Sequence, residues 1–266
     1  MRSVIAPRNP ERRVGVVSRP VSRRVVSLYS PAIGAPGTVI AYGHWGRPLL
    51  AFPAEAGRAT DWEQTGMVGA IEPLLDAGRV KLYAIDSFDT GSWLLGHLSL
   101  EERAQRHRLF EDWLVNQVAP FIHEDCGGRA EIMVAGTSFG AYHAANFALR
   151  RADLFPLAIC MSGVYDITTV GDWGRGEAVY FNNPMDYVSN LHGDHLDWLR
   201  SHVSLLLVCG QGQWEDTTGA LDSTLRFAER LRDKDIRHEL DIWGHDVPHD
   251  WPSWRRQIAH HLSRLV

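Results

Sequence analysis

From residue 47 onward the chain alternates two kinds of segment, and that alternation restricts its fold more than any other feature. Apolar runs of strand length occur at 47–53 (RPLLAFP), 80–88 (VKLYAIDSF), 131–136 (EIMVAG), 156–163 (PLAICMSG) and 203–210 (VSLLLVCG), with a further strand at 237–243 (RHELDIW). Between them lie stretches with helical spacing. These are 61–78, closed by a glycine; 99–122, with Ser99 as N-cap candidate and acidic residues in the first turn; a helix opening at FGAYHAANFALRR; TLRFAERLRDKD; and the closing WPSWRRQIAHHLSRLV. Strands that are apolar on both faces need cover on both faces. The reading is a three-layer α/β sandwich built on a mostly parallel sheet.

Two earlier β-like segments, 21–30 and 37–43, flank the turn-rich PAIGAPG and predict an N-terminal antiparallel hairpin. Residues 164–200 break the rhythm with polar, aromatic and turn-forming residues, and predict an excursion above the sheet, either a lid or a pocket rim. With 266 residues, 45% of them hydrophobic, one domain over 1–266 accounts for the whole chain.

Charge and cysteine usage exclude some classes. Residues 1–24 carry seven arginines against one glutamate, so the rest is more acidic than the net −5 suggests. Against two lysines, Lys81 and Lys234, the heavy arginine usage is chain-wide. The VVSRPVSRRVVSLYS pattern also suits the exposed face of an edge strand, so no nucleic-acid partner is expected. No run has the length of a membrane span and no apolar stretch follows the N-terminal arginines, so neither a membrane partner nor a secretory leader is expected. Cys160 and Cys209 sit within apolar runs and read as core thiols, which fits a reducing, cytoplasmic location. The oligomeric state stays open, a homo-oligomer included.

Function in such sheets gathers beyond the carboxyl ends of the strands. The stretch VAGTSFGAYHA places Ser138 there, between Gly136 and Gly140, with an apolar strand before it and a helix after it. A serine in a tight strand-to-helix turn needs small neighbours, and the helix start aims its first amides over the hydroxyl. The Phe139 N–H is thereby a candidate oxyanion donor. A serine nucleophile needs a base, and the base an orienting acid, in the chain order Ser, acid, His. Glu215 and Asp216 follow the 203–210 strand, and His245 and His249 follow the 237–243 strand. A zinc site at His245 and His249 is not expected, because Gly244 and Pro248 disfavour the helix that would align them. GQGQWE lacks the third glycine of a dinucleotide loop. Neither metal nor cofactor is predicted.

The segment GTSFGAYHAANFALRRADLFPLAICMSGVYD, with GRPLLAFP, GRVKLYAIDS, GQGQWED and WGHDVPHDW, resembles the esterase branch of the α/β-hydrolase superfamily. That branch includes S-formylglutathione hydrolase, feruloyl and enterochelin esterases and the mycolyltransferases, and the resemblance spans roughly residues 25–266. It implies an α/β-hydrolase fold and a serine carboxylic-ester hydrolase acting on a small-molecule ester. The branch's histidine falls on His249, ahead of Trp251 and Trp254, and Asp250 can cap the last helix beside it. The branch's acid falls on Asp216, with Glu215 as the alternative acid and His245 as the alternative histidine. Its second oxyanion donor falls on the backbone of Ala54 or Glu55, although Phe52-Pro53-Ala54 stands where many relatives carry a His-Gly pair. An acyltransferase using the same acyl-enzyme, or a silent binding module on this scaffold, stays open from sequence alone.

Overall fold

The computed structural model describes residues 21–171 and 173–266; residues 1–20, with most of the arginine-rich arm, lie outside them. β1 (Arg23–Ser30) and β2 (Ala35–Tyr42) form the antiparallel hairpin, in register from Arg23↔Tyr42 to Ser30↔Ala35. Gly34, at φ +76°, closes its turn by donating to Ser30 O at 2.8 Å. β1 is an edge strand with Arg23, Arg24, Val25 and Tyr29 exposed.

The remaining strands are β3 (Arg47–Phe52), β4 (Val80–Ile85), β5 (Met133–Thr137), β6 (Leu157–Met161), β7 (Ser204–Cys209) and β8 (His238–Ile242). Among the described residues they complete one eight-stranded sheet in the order β1-β2-β4-β3-β5-β6-β7-β8. β2 pairs antiparallel with β4, and every later pairing is parallel. From β3 the chain goes outward to β4, then returns across β3 to β5. The loops leaving β3 and β5 therefore diverge, and a crevice opens between them above the sheet.

Side chains alternate strictly between two cores. Leu50, Phe52, Val134, Cys160 and Leu207 pack under Phe110, Trp113, Phe147 and Phe227. Leu49, Ala51, Met133, Ile159 and Val208 pack against Trp62, Met67, Trp254 and Ile258. The helix Phe139–Arg150 is buried from Phe139 to Leu149, which its run of alanines permits by letting the backbone approach the sheet.

Local structure departs from the periodicity in two helical regions. The stretch 61–78 divides into Asp61–Gln64, Met67–Ala70 and Glu72–Asp76. Gly66 takes a left-handed φ of +79° and Pro73 cannot donate in a continuing helix, so the segment turns twice. The stretch from 99 begins with a complete capping box, Ser99 Oγ accepting from the Glu102 amide and Glu102 Oε2 accepting from the Ser99 amide. It then widens into a π-turn at Leu114–Val118 ahead of Pro120 and continues to Asp125.

The excursion divides in two. Residues 164–170 stay above the sheet. Residues 177–202 fold into the short helices Glu177–Tyr180, Pro184–Asn190 and Gly193–His202, tied to the Phe139–Arg150 helix through Tyr142 Oη to Asn182 O (2.7 Å) and Tyr187 Oη to Asn146 Oδ1 (3.1 Å). Among the described residues no helix is long and apolar enough to cross a membrane, and no cluster of three or more His, Cys, Asp or Glu could hold a metal.

His107 sets a pH limit on this packing. It is fully buried, stacked on His143 and Phe147, and neither ring nitrogen has a partner among the described residues. Burial, with His143 and Arg150 adding, pushes its pKa well below the ordinary value near 6.5. The native state thus keeps the ring neutral while the unfolded chain takes up a proton as pH falls. This contribution to stability is complete above about pH 6.5 and declines below it. Urea unfolding at pH 7.5 and 5.5 is expected to show a smaller acid loss in His107→Phe than in the natural chain.

Candidate active site

The turn after β5 has the geometry its glycines require. Ser138 sits at φ +53°, ψ −120°, a strained conformation for a residue with a Cβ, and its amide donates to Met161 O on β6 at 2.9 Å. A Cβ on Gly136 would lie 2.0 Å from Gly140 O, and one on Gly140 would lie 2.2 Å from Pro53 O. Both glycines are therefore dictated by backbone contact, the second by the loop leaving β3. Phe139 opens the following helix, so its N–H has no intrahelical acceptor. Ala54 and Glu55 lie in the loop after β3, where Gly57 N closes a turn onto Ala54 O (3.0 Å).

Beyond β7 and β8 two loops dock on each other through their backbones. Gly212 N donates to Val247 O (2.9 Å), and His249 N to Gln213 O (3.0 Å). A Cβ on Gly210 would lie 2.0 Å from Val247 O, so the glycines of GQGQ serve loop-to-loop contact. Asp250 caps the last helix, Oδ1 accepting from Ser253 N at 2.9 Å, and this fixes His249 one residue earlier. The Trp254 ring supports the imidazole edge-on, with centroids 4.9 Å apart.

Three side chains meet above the sheet. His249 Nε2 lies 3.0 Å from Ser138 Oγ, and His249 Nδ1 lies 2.9 Å from Glu215 Oε2. The sequence resemblance points to Asp216 as the partner of this histidine; the structure brings Glu215 there instead. Trp214 takes a left-handed φ of +72°, and the chain emerges with Glu215 fully buried and Asp216 facing solvent. Asp216 Oδ1 accepts from the adjacent Thr217 amide at 2.8 Å. His245 is also exposed, its Nδ1 3.3 Å from Gln211 O.

A buried carboxylate must be compensated, and Glu215 is. Its Oε1 accepts from Ser162 Oγ (2.6 Å) and lies 3.3 Å from Gly210 N, while the Cys209 thiol approaches Oε2 at 3.5 Å. Ser162 in turn accepts from Trp254 Nε1 at 3.0 Å. Ser162 escapes motif reading, yet its place directly after β6 was a usable signal, since function gathers at strand ends. Like Ser138, it has a positive φ, +54°.

Ser138 and His249 open into a cavity of about 360 Å³. The excursion contributes Val164, Asp166, Ile167, Thr169 and Val170 to its lining, and Glu55, Phe139 and Thr218 complete it. Of the tryptophans near strand ends, Trp62 and Trp93 are buried in the cores while Trp45 and Trp214 are exposed.

This sheet order, with a strained serine at the end of β5 and a histidine after β8, is the α/β-hydrolase fold. The sequence matches the family described as "Putative esterase" over residues 59–265, and the chain belongs to that family. It is an ester hydrolase. Similar solved structures include a ferulic acid esterase at 17% identity and TM-score 0.70, covering 92% of this chain and 97% of that one. An S-formylglutathione hydrolase from Staphylococcus aureus matches at 15% identity and TM-score 0.65, covering 92% and 98%. MPT51 of Mycobacterium tuberculosis matches at 15% identity and TM-score 0.69, covering 92% and 97%. No curated protein sequence matches the chain.

Proposed function

We propose that the enzyme hydrolyses small carboxylic esters through an acyl-enzyme on Ser138, with His249 as base and Glu215 as the orienting acid. The observation that carries this reading is the unbroken line Glu215–His249–Ser138, with contacts of 2.9 and 3.0 Å. His249 Nε2 takes the hydroxyl proton as Ser138 Oγ attacks the ester carbonyl. The oxyanion lies toward the Phe139 amide and that of Ala54 or Glu55. Glu215 accepts from Nδ1–H, fixing the tautomer and stabilising the imidazolium. His249 then protonates the departing alcohol and afterwards deprotonates the water that releases the acid. Only a neutral imidazole can begin the cycle.

The cavity bears on the choice of ester. Glu55 and Asp166 line it, and no arginine or lysine is among the described residues that do. A substrate with negative charge close to the reacting carbonyl is opposed there. The glutathione portion of S-formylglutathione, the substrate in one neighbour's name, is anionic and fits this lining poorly. The favoured class is a neutral or cationic ester.

A fluorophosphonate probe is expected to label Ser138 stoichiometrically, as read by peptide mass spectrometry. p-Nitrophenyl acetate is expected to turn over with a several-fold higher kcat/KM than the hemisuccinate ester of the same phenol. Absence of label on Ser138 would overturn the nucleophile assignment, and a preference for the anionic ester would overturn the substrate class.

A further inference from the structure

A second carboxylate–imidazole pair lies under the site, outside the line just described. Asp89 stands in the short 3-10 turn Asp89–Gly91 after β4, and His143 on the helix that Ser138 begins. His143 Nε2–H donates to Asp89 Oδ1 at 2.8 Å, and both side chains are 1% exposed. The other carboxylate oxygen, Oδ2, accepts from the Ala56 amide at 3.0 Å.

We propose that His143 and Asp89 are positioning residues for the oxyanion site, holding the Ala54–Gly57 turn against the Ser138 helix. This rests on the proposed role of the Ala54 or Glu55 amide. Ala56 follows those residues directly and adopts a left-handed φ of +55°, a conformation a non-glycine residue keeps only when its surroundings enforce it. Ala56 and Glu55 are solvent-exposed, so little packing holds the turn from outside. Asp89 anchors it from beneath, beside the Ser87 amide, which donates to Gly57 O at 3.0 Å. The loop also meets the helix directly where Gly140 faces Pro53, and a Cβ on Gly140 would lie 2.2 Å from Pro53 O. These ties set the spacing between the Phe139 amide on the helix and the amides of the turn.

The chemistry suits a fixed anchor. Buried carboxylates are retained where their hydrogen bonds are needed, since an apolar residue would fill the space at no electrostatic cost. Asp89 uses one oxygen on the helix and one on the loop, which makes it a bridge between the two halves of the oxyanion site. His143 Nδ1 is buried without a partner among the described residues, and the hydrogen bond the ring gives, from Nε2, goes to Asp89. The rings of His107, Phe52 and Phe147 pack against His143 and keep it from turning away.

Two substitutions separate this role from packing. His143→Phe keeps the stacked ring and removes the donor; His143→Gln removes the ring and keeps an amide donor near the Nε2 position. With p-nitrophenyl acetate, His143→Phe is expected to lose about 10- to 100-fold in kcat with KM within about twofold, since a slightly displaced oxyanion donor costs that much. Affinity for a trifluoromethyl ketone, whose bound hemiketal oxyanion mimics the transition state, should fall by the same factor. His143→Gln should retain at least ten times the kcat of His143→Phe. If His143→Phe does not fold, Asp89→Leu takes its place with the same expected loss. The proposal is overturned if His143→Phe keeps the natural kcat, or if His143→Gln loses as much as His143→Phe. Stoichiometric labelling of Ser138 in the natural chain with either of those results overturns the positioning role alone. Absence of that label overturns the reading of the site as well.

Discussion

Replacing Ser138 by alanine is expected to lower hydrolysis of short p-nitrophenyl esters by at least about 10⁴-fold, to near the rate in buffer. The loss is this large because removing Oγ leaves His249 with water as its only nucleophile, and that water is not held at the carbonyl. Stability should change little, since alanine must adopt the same strained φ of +53°. Ser138→Gly separates the two effects. Glycine adopts this conformation without the Cβ clash, so that variant should be equally inactive yet more stable by about 1 kcal/mol. Steady-state kinetics and thermal melting of both variants test the pair of expectations. An alanine variant that turns over at the natural rate would remove Ser138 from the mechanism. A glycine variant no more stable than the alanine one would show that the turn stores no strain.

The contrast between these variants reflects how the site could be read from sequence. The strand–turn–helix around Ser138 is local: an apolar strand, two glycines and an alanine-rich helix suffice to place a serine above the sheet. The histidine was nearly as legible, because Asp250 is a helix cap and a cap locates its neighbour. The partner of the histidine was not. Whether Glu215 or Asp216 turns inward depends on the left-handed backbone at Trp214 and on the docking of 210–213 against 247–249. That contact joins segments more than thirty residues apart, and no local pattern reports it. The same holds for Asp89 and His143, 54 residues apart and paired only because the sheet order carries β4 and β5 to opposite sides of β3. The break in 61–78 is different. Gly66 and Pro73 are visible in the sequence, but the apolar spacing across them has the period of one continuous helix, and backbone conformation prevails over periodicity.

Glu215→Gln should cost about 10²- to 10⁴-fold in kcat, while Asp216→Asn should stay within about twofold. The argument for the first runs through hydrogen-bond polarity. Ser162 Oγ and Gly210 N both supply hydrogens to the Oε1 position, so a glutamine would turn its carbonyl oxygen there. Its NH₂ group would then occupy the Oε2 position, facing His249 Nδ1 at 2.9 Å. An amide hydrogen there makes Nδ1 the acceptor and moves the imidazole proton to Nε2. Nε2–H points at Ser138 Oγ and cannot take its proton. Asp216, exposed and bonded to the Thr217 amide, has no such connection. Measuring kcat for both variants decides which acid serves His249. A large loss in Asp216→Asn with Glu215→Gln near normal would reverse the assignment. Ser162 should carry the effect one step further out. Without its hydroxyl, the orientation of a glutamine at 215 is less constrained, so Glu215→Gln/Ser162→Ala should regain part of the rate lost in Glu215→Gln. Such a gain from a second substitution is not expected if glutamine acts by loss of charge alone.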